Sequence, residues 1–135
     1  MDCIFCKIIS GDIKSKFLKE TEYSVSFLDA FPLAKGHVLV ISKNHHQKIQ
    51  DMSMQENADL FSLVHDMVSN VDNITGSTLV AIHNGEDAGQ EIPHVHVHLV
   101  PRSKNDSADA IHSMFTSSVN LSKSEMDELY NKLKI

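Results

Sequence analysis

The sequence predicts an α+β fold, with about five strands in a mainly antiparallel sheet, one long helix and a C-terminal helix. Three observations lead there. Short β-branched segments lie both before and after a single long helical stretch. Helices alternate too rarely with strands to build a doubly wound sheet. Residues 94–98 read His-Val-His-Val-His, the period-two alternation of a strand that buries one face. At 135 residues the chain has the length of one domain, 1–135, with a C-terminal extension from about residue 103.

The elements follow in order. Ile4, Phe5, Ile8 and Ile9 have helical spacing and stop at Gly11, which predicts a short helix. Phe17–Glu20 and Ser24–Asp29 read as strands joined by a tight turn. Pro32 and Gly36 bracket a loop, and His37–Ile41 is a buried strand. Ser53-Met54-Gln55-Glu56 is a capping box, and Leu60, Val64, Met67, Val68 and Val71 keep helical spacing behind it. The main helix is therefore expected over about 54–72. Thr78–His83 is a strand, Asn84–Gln90 a glycine-bearing loop, and Pro93–Pro101 the histidine strand. Residues 103–120 are polar and loop-like, with some helix around 108–115. Ser122-x-x-Glu125 opens a terminal helix striped with Met126, Leu129, Tyr130 and Leu133.

Composition narrows the function. The formal net charge is −6, which argues against nucleic acid as a general partner. Arg102 is the only arginine, so a bound phosphate must rely on histidines and backbone N–H groups. No apolar run reaches the roughly 18 residues of a membrane span. The N-terminus shows no basic segment followed by an apolar one, so a cytoplasmic protein without membrane association is expected.

The histidine strand carries the chemistry. Val95 and Val97 can bury on one side while His94, His96 and His98 line the other. Imidazoles there can act as nucleophile, base or donor near neutral pH. Cys3 and Cys6 form a C-x-x-C at the N-terminus, where a thioredoxin-type motif would be out of place, so metal binding is the stronger reading.

These pieces resemble the histidine triad (HIT) superfamily, whose signature alternates histidine and apolar residues as His94–Val100 does. Cys-Ile-Phe-Cys-Lys-Ile-Ile at 3–9, Phe-Leu-Asp at 27–29, Gly-His-Val-Leu-Val-Ile at 36–41 and Ala-Gly-Gln at 88–90 resemble its Hint-like, zinc-carrying microbial branch. The resemblance implies a HIT-like fold, a two-fold homodimer, and hydrolysis of nucleotides through a nucleotidyl-histidine intermediate. His96 would be the nucleophile and His98 a donor to the phosphate, with His94 and His37 beside them. Asp29 would accept from the ribose hydroxyls, and Phe5, Ile8, Phe27 and Ala30 would wall the base. His83, Gly89, Gln90 and Glu91 would approach the phosphate. His83 stands where better-known members carry Asn or Gln, and Glu91 where some carry Ser or Thr, which bears on the leaving group. By the same resemblance Cys3, Cys6, His45 and His94 would hold a structural zinc.

The implied substrate is a purine nucleoside 5′-phosphoramidate or a related AMP conjugate, such as an aminoacyl-adenylate-like compound. A dinucleoside polyphosphate is the close competitor. Two other classes stay open: a metalloenzyme with one catalytic ion on His94, His96 and His98, and a nucleotide-binding regulatory protein with little turnover.

Overall fold

The computed structural model describes residues 2–135, the side chain of His112 excepted. The chain forms two compact units, one ending at Lys104 and the other running Asn105–Ile135.

In the first unit, helix α1 (Ile4–Ser10) ends at Gly11, whose φ of 87° is the left-handed conformation that glycine adopts without penalty. Strands β1 (Phe17–Glu20), β2 (Ser24–Leu28) and β3 (Val38–Ser42) follow, then helix α2 (Met54–Thr75), β4 (Thr78–Ala81) and β5 (His96–Pro101). The five strands form one sheet in the order β1-β2-β3-β5-β4, with every pair antiparallel.

The sheet is covered on both faces, and the side-chain alternation sorts the covers. Val38 and Val40 of β3, with Val97 and Leu99 of β5, pack with Leu60, Leu63, Val64, Met67 and Val71 of α2. Leu39 and Ile41 point the other way, into a second cluster with Cys3, Phe5, Val25 and Phe27. In register, Ile41 faces His96 and Leu39 faces His98. The histidines therefore lie on the α1 face of the sheet, and the valines of the same strand secure it to α2.

Three boundaries differ from expectation by two residues or more. Helix α2 runs to Thr75, because Gly76 at φ 91° supplies a left-handed cap donating to Asp72 O. Strand β4 stops at Ala81 rather than His83. Strand β5 begins at His96 rather than Pro93: proline has no N–H to give a ladder, and the His94 N–H turns back to Ile92 O. Val95 still bridges to the neighbouring segment after β3, its N–H donating to His46 O at 2.7 Å. Short 3-10 turns at Ile49–Asp51 and Glu86–Ala88 have no counterpart in the sequence reading.

In the second unit, a 3-10 turn spans Ile111–Met114, inside the stretch read as partly helical. Helix α3 (Lys123–Leu133) carries the expected capping box, with Ser122 Oγ accepting the Glu125 N–H.

Candidate active site

The α1 face of the sheet holds a cleft of about 460 Å3. Of the catalytic and nucleotide-site residues singled out in the sequence, Phe5, Ile8, Phe27, Asp29, Ala30, His37, His83, Gly89, Glu91, His96 and His98 line it. Two do not. His94 lies beneath, among the cysteines, and the buried Gln90 donates its side-chain amide to Gln47 O at 2.8 Å. No local pattern separates Gln90 from the loop residues that do reach the cleft. Ile4, Ile13, Phe31, Leu33, Leu39 and Ile92 also line it and were not singled out. The one available signal was the pair of apolar residues flanking Pro32 in an otherwise open loop.

Hydrogen bonds fix the tautomer of each ring. His96 Nδ1 lies 2.6 Å from the His94 carbonyl. A carbonyl only accepts, so Nδ1 carries the hydrogen and Nε2 keeps its lone pair. Burial lowers the His96 pKa below the ordinary imidazole value, which keeps the ring neutral. The Phe5 ring stands edge-on 5.0 Å from it.

His37 and His98 form a relay. The Leu33 N–H donates to His37 Nδ1 at 3.1 Å. The hydrogen of neutral His37 is then on Nε2, which lies 3.0 Å from His98 Nδ1 and donates to it. His98 Nδ1 is thereby an acceptor, and its hydrogen sits on Nε2. Burial lowers the pKa of both rings, that of His98 to about 4. Asp29 Oδ2 is 3.6 Å from His37 Nε2, too far for a hydrogen bond, and Asp29 Oδ1 accepts from the Phe31 N–H at 2.9 Å. Gly89, at φ 101°, abuts the His83 ring: a Cβ there would stand 3.3 Å from His83 Cδ2. The His83 ring is in turn 5.6 Å from that of His98.

Behind His96 lie Cys3, Cys6, His45 and His94, their donor atoms all within 4.8 Å of one another. Cys3 Sγ is 3.5 Å and Cys6 Sγ 3.7 Å from His94 Nδ1, and Cys6 Sγ is 3.4 Å from His45 Nδ1. Tetrahedral zinc with its usual Zn–S and Zn–N lengths puts S and N roughly 3.6 Å apart, so the spacing fits a metal. His94 donates Nε2–H to Ser42 O at 2.6 Å, which leaves Nδ1 as a lone pair toward the cysteines. Burial holds the His94 pKa at about 4, so the ring is neutral as a ligand must be. Burial raises the Cys6 thiol, with Cys3 adding to the shift, and a bound cation would reverse this.

Asp29, His37 and His98 also converge within 4.8 Å. Their chemistry does not suit a cation. The Leu33 N–H occupies His37 Nδ1, so the Nε2 that would face the ion carries the ring hydrogen. A single ion on His94, His96 and His98 fares no better, since His94 Nδ1 faces the cysteines.

The fold and the histidine strand define a class. A family profile described as the HIT domain matches residues 10–105. The chain belongs to the HIT domain family. It is 40% identical over 106 residues to an adenosine 5′-monophosphoramidase from Schizosaccharomyces pombe, spanning 78% of each protein. The structure of a histidine triad nucleotide-binding protein from Candida albicans superposes with a TM-score of 0.84 at 31% identity, over 98% of this chain and 95% of that one. A Zn-bound histidine triad family protein from Mycobacterium smegmatis superposes with a TM-score of 0.68 at 32% identity, over 79% of each chain.

Proposed function

We propose that this protein is a nucleotide hydrolase that cleaves purine nucleoside 5′-phosphoramidates or related AMP conjugates through His96. The observation that carries the reading is the His96 Nδ1–H bond to the His94 carbonyl, which leaves Nε2 as a neutral nucleophile in the cleft. His96 Nε2 attacks the α-phosphorus, forming a P–N bond as the bond to the leaving amine breaks. His98, a neutral ring, gives its Nε2–H as a hydrogen bond to the phosphate oxygens where charge builds, and the amine leaves with a proton from solvent as a water takes its place. That water then breaks the P–N bond to His96 and releases the nucleoside monophosphate. The Leu33–His37–His98 chain supports this role by keeping the proton on His98 Nε2.

In this reading Asp29 accepts from the ribose diol, and Phe5, Ile8, Phe27 and Ala30, which line the same cleft, wall the base. In the same reading Gly89 lets backbone approach the phosphate, and His83 and Glu91, which also line the cleft, meet the leaving group. Gln90 acts at one remove, by tying the phosphate loop to residue 47. Cys3, Cys6, His45 and His94 would hold zinc, which supplies a structural cross-link rather than a reacting water. Support for phosphoramidates as the substrate class comes from the relative named as an adenosine 5′-monophosphoramidase.

The test is turnover of adenosine 5′-phosphoramidate beside diadenosine tetraphosphate. AMP release from the first is expected, falling about 10^4-fold or more in His96→Ala while AMP binding persists. Preference for the tetraphosphate would shift the substrate class, and an active His96→Ala would overturn the nucleophile.

A further inference from the structure

Glu56 makes more contacts than a helix cap requires. A capping-box glutamate accepts the N–H of the residue that begins the helix. Glu56 does so with Oε1, from Ser53 N–H at 3.0 Å, and Ser53 Oγ accepts the Glu56 N–H at 3.1 Å. The second oxygen, Oε2, lies 3.1 Å from Asn44 Nδ2 and 3.0 Å from His46 Nε2, each of which donates to it. This carboxylate is almost fully buried, 7% exposed, in a place where a charge survives only when fully partnered.

Asn44 and His46 flank His45. The segment 42–46 delivers three groups to the histidine region. Ser42 O receives His94 Nε2–H, His45 Nδ1 faces Cys6 Sγ, and His46 O receives the Val95 N–H. A further bond inside the segment, Ser42 Oγ to Asn44 O at 2.9 Å, stiffens it. The first turn of α2 therefore grips, on both sides of His45, the one loop that brings the fourth donor to the cysteines.

We propose that Glu56 is a positioning residue for the Cys3–Cys6–His45–His94 cluster: by holding Asn44 and His46 it orients the His45 ring and raises the cluster's affinity for its cation. The inference rests on the reading of that cluster as a metal site. A loop without this grip would have to order His45 each time metal bound, and the ordering entropy would come out of the affinity.

The experiment measures zinc affinity of the full chain by competition with a chromophoric chelator, with cobalt(II) absorption as a second readout. Glu56→Gln and His46→Ala are compared with Ser53→Ala, which breaks the cap but keeps the grip on residues 44 and 46. The dissociation constant is expected to rise about 10- to 100-fold in Glu56→Gln and His46→Ala, with a weakened tetrahedral cobalt spectrum. Ser53→Ala should lose thermal stability with zinc affinity nearly unchanged. If Glu56→Gln does not fold, His46→Ala carries the same comparison. Wild-type affinity in the grip variants, or an equal loss in Ser53→Ala, overturns the positioning role alone. A wild-type chain that takes up no zinc overturns the metal reading and the proposal with it.

Discussion

At the scale of single residues, neutrality is the common property of the buried histidines. His37 and His98 both have pKa values lowered by burial, His98 to about 4. In the unfolded chain both titrate near the ordinary value of about 6.5. Below that pH the unfolded state binds protons that the folded state refuses, so stability is fully present above about pH 6.5 and drains away toward pH 4. Urea unfolding at pH 7.5, 6 and 5 should show this loss, and His98→Asn should flatten it. An unchanged slope in the variant would contradict the assignment. The histidine motif made His96 and His98 legible in the sequence. It did not make their tautomers legible, because those depend on a carbonyl two residues back and on a backbone N–H in a distant loop.

At the scale of elements, both capping boxes were readable because cap and glutamate sit three residues apart. Strands were readable from alternation, but their ends were not. The start of β5 is decided by Pro93 and by the His94 N–H folding back on Ile92. The 3-10 turn at Ile49–Asp51 depends on Asn84, whose side chain accepts from the Ile49 N–H. Asn84 lies 35 residues from Ile49, beyond the reach of any local pattern. Helix α2 owes its place to packing more than to its cap: Leu60 and Leu63 are fully buried against the sheet. Leu60→Ala should cost about 2–5 kcal/mol in denaturant titration. A loss below about 1 kcal/mol would mean that α2 is not the principal cover of that face.

For the whole molecule, the HIT-like α+β architecture was the most legible feature and assembly the least. No helix among the described residues is long and apolar enough to cross a membrane. Strand β4 is the last in the sheet order, and Leu79 and Val80 on it are 40% and 46% exposed. An uncovered edge of this kind can pair with a second chain. The homodimer implied by the family resemblance is expected in light scattering as a mass of two chains. Lysine at Val80 should shift it toward one chain, and a wild-type mass of one chain would remove the expectation. The amphipathic stripe of α3 gives no such lead. Its residues are exposed, and a stripe in the sequence does not say what covers it.

Cys3 stands 91 residues from His94, yet their side chains are 3.5 Å apart. Between Cys3 and Cys6 comes Phe5, whose ring packs on Phe27 and His96 in the cleft. Anything that fastens the two cysteines thus also fastens one wall of the cleft. If an ion on the cysteines orders α1, a nucleoside resting on Phe5 is spared that cost, and by thermodynamic reciprocity it must tighten the ion's binding by the same factor.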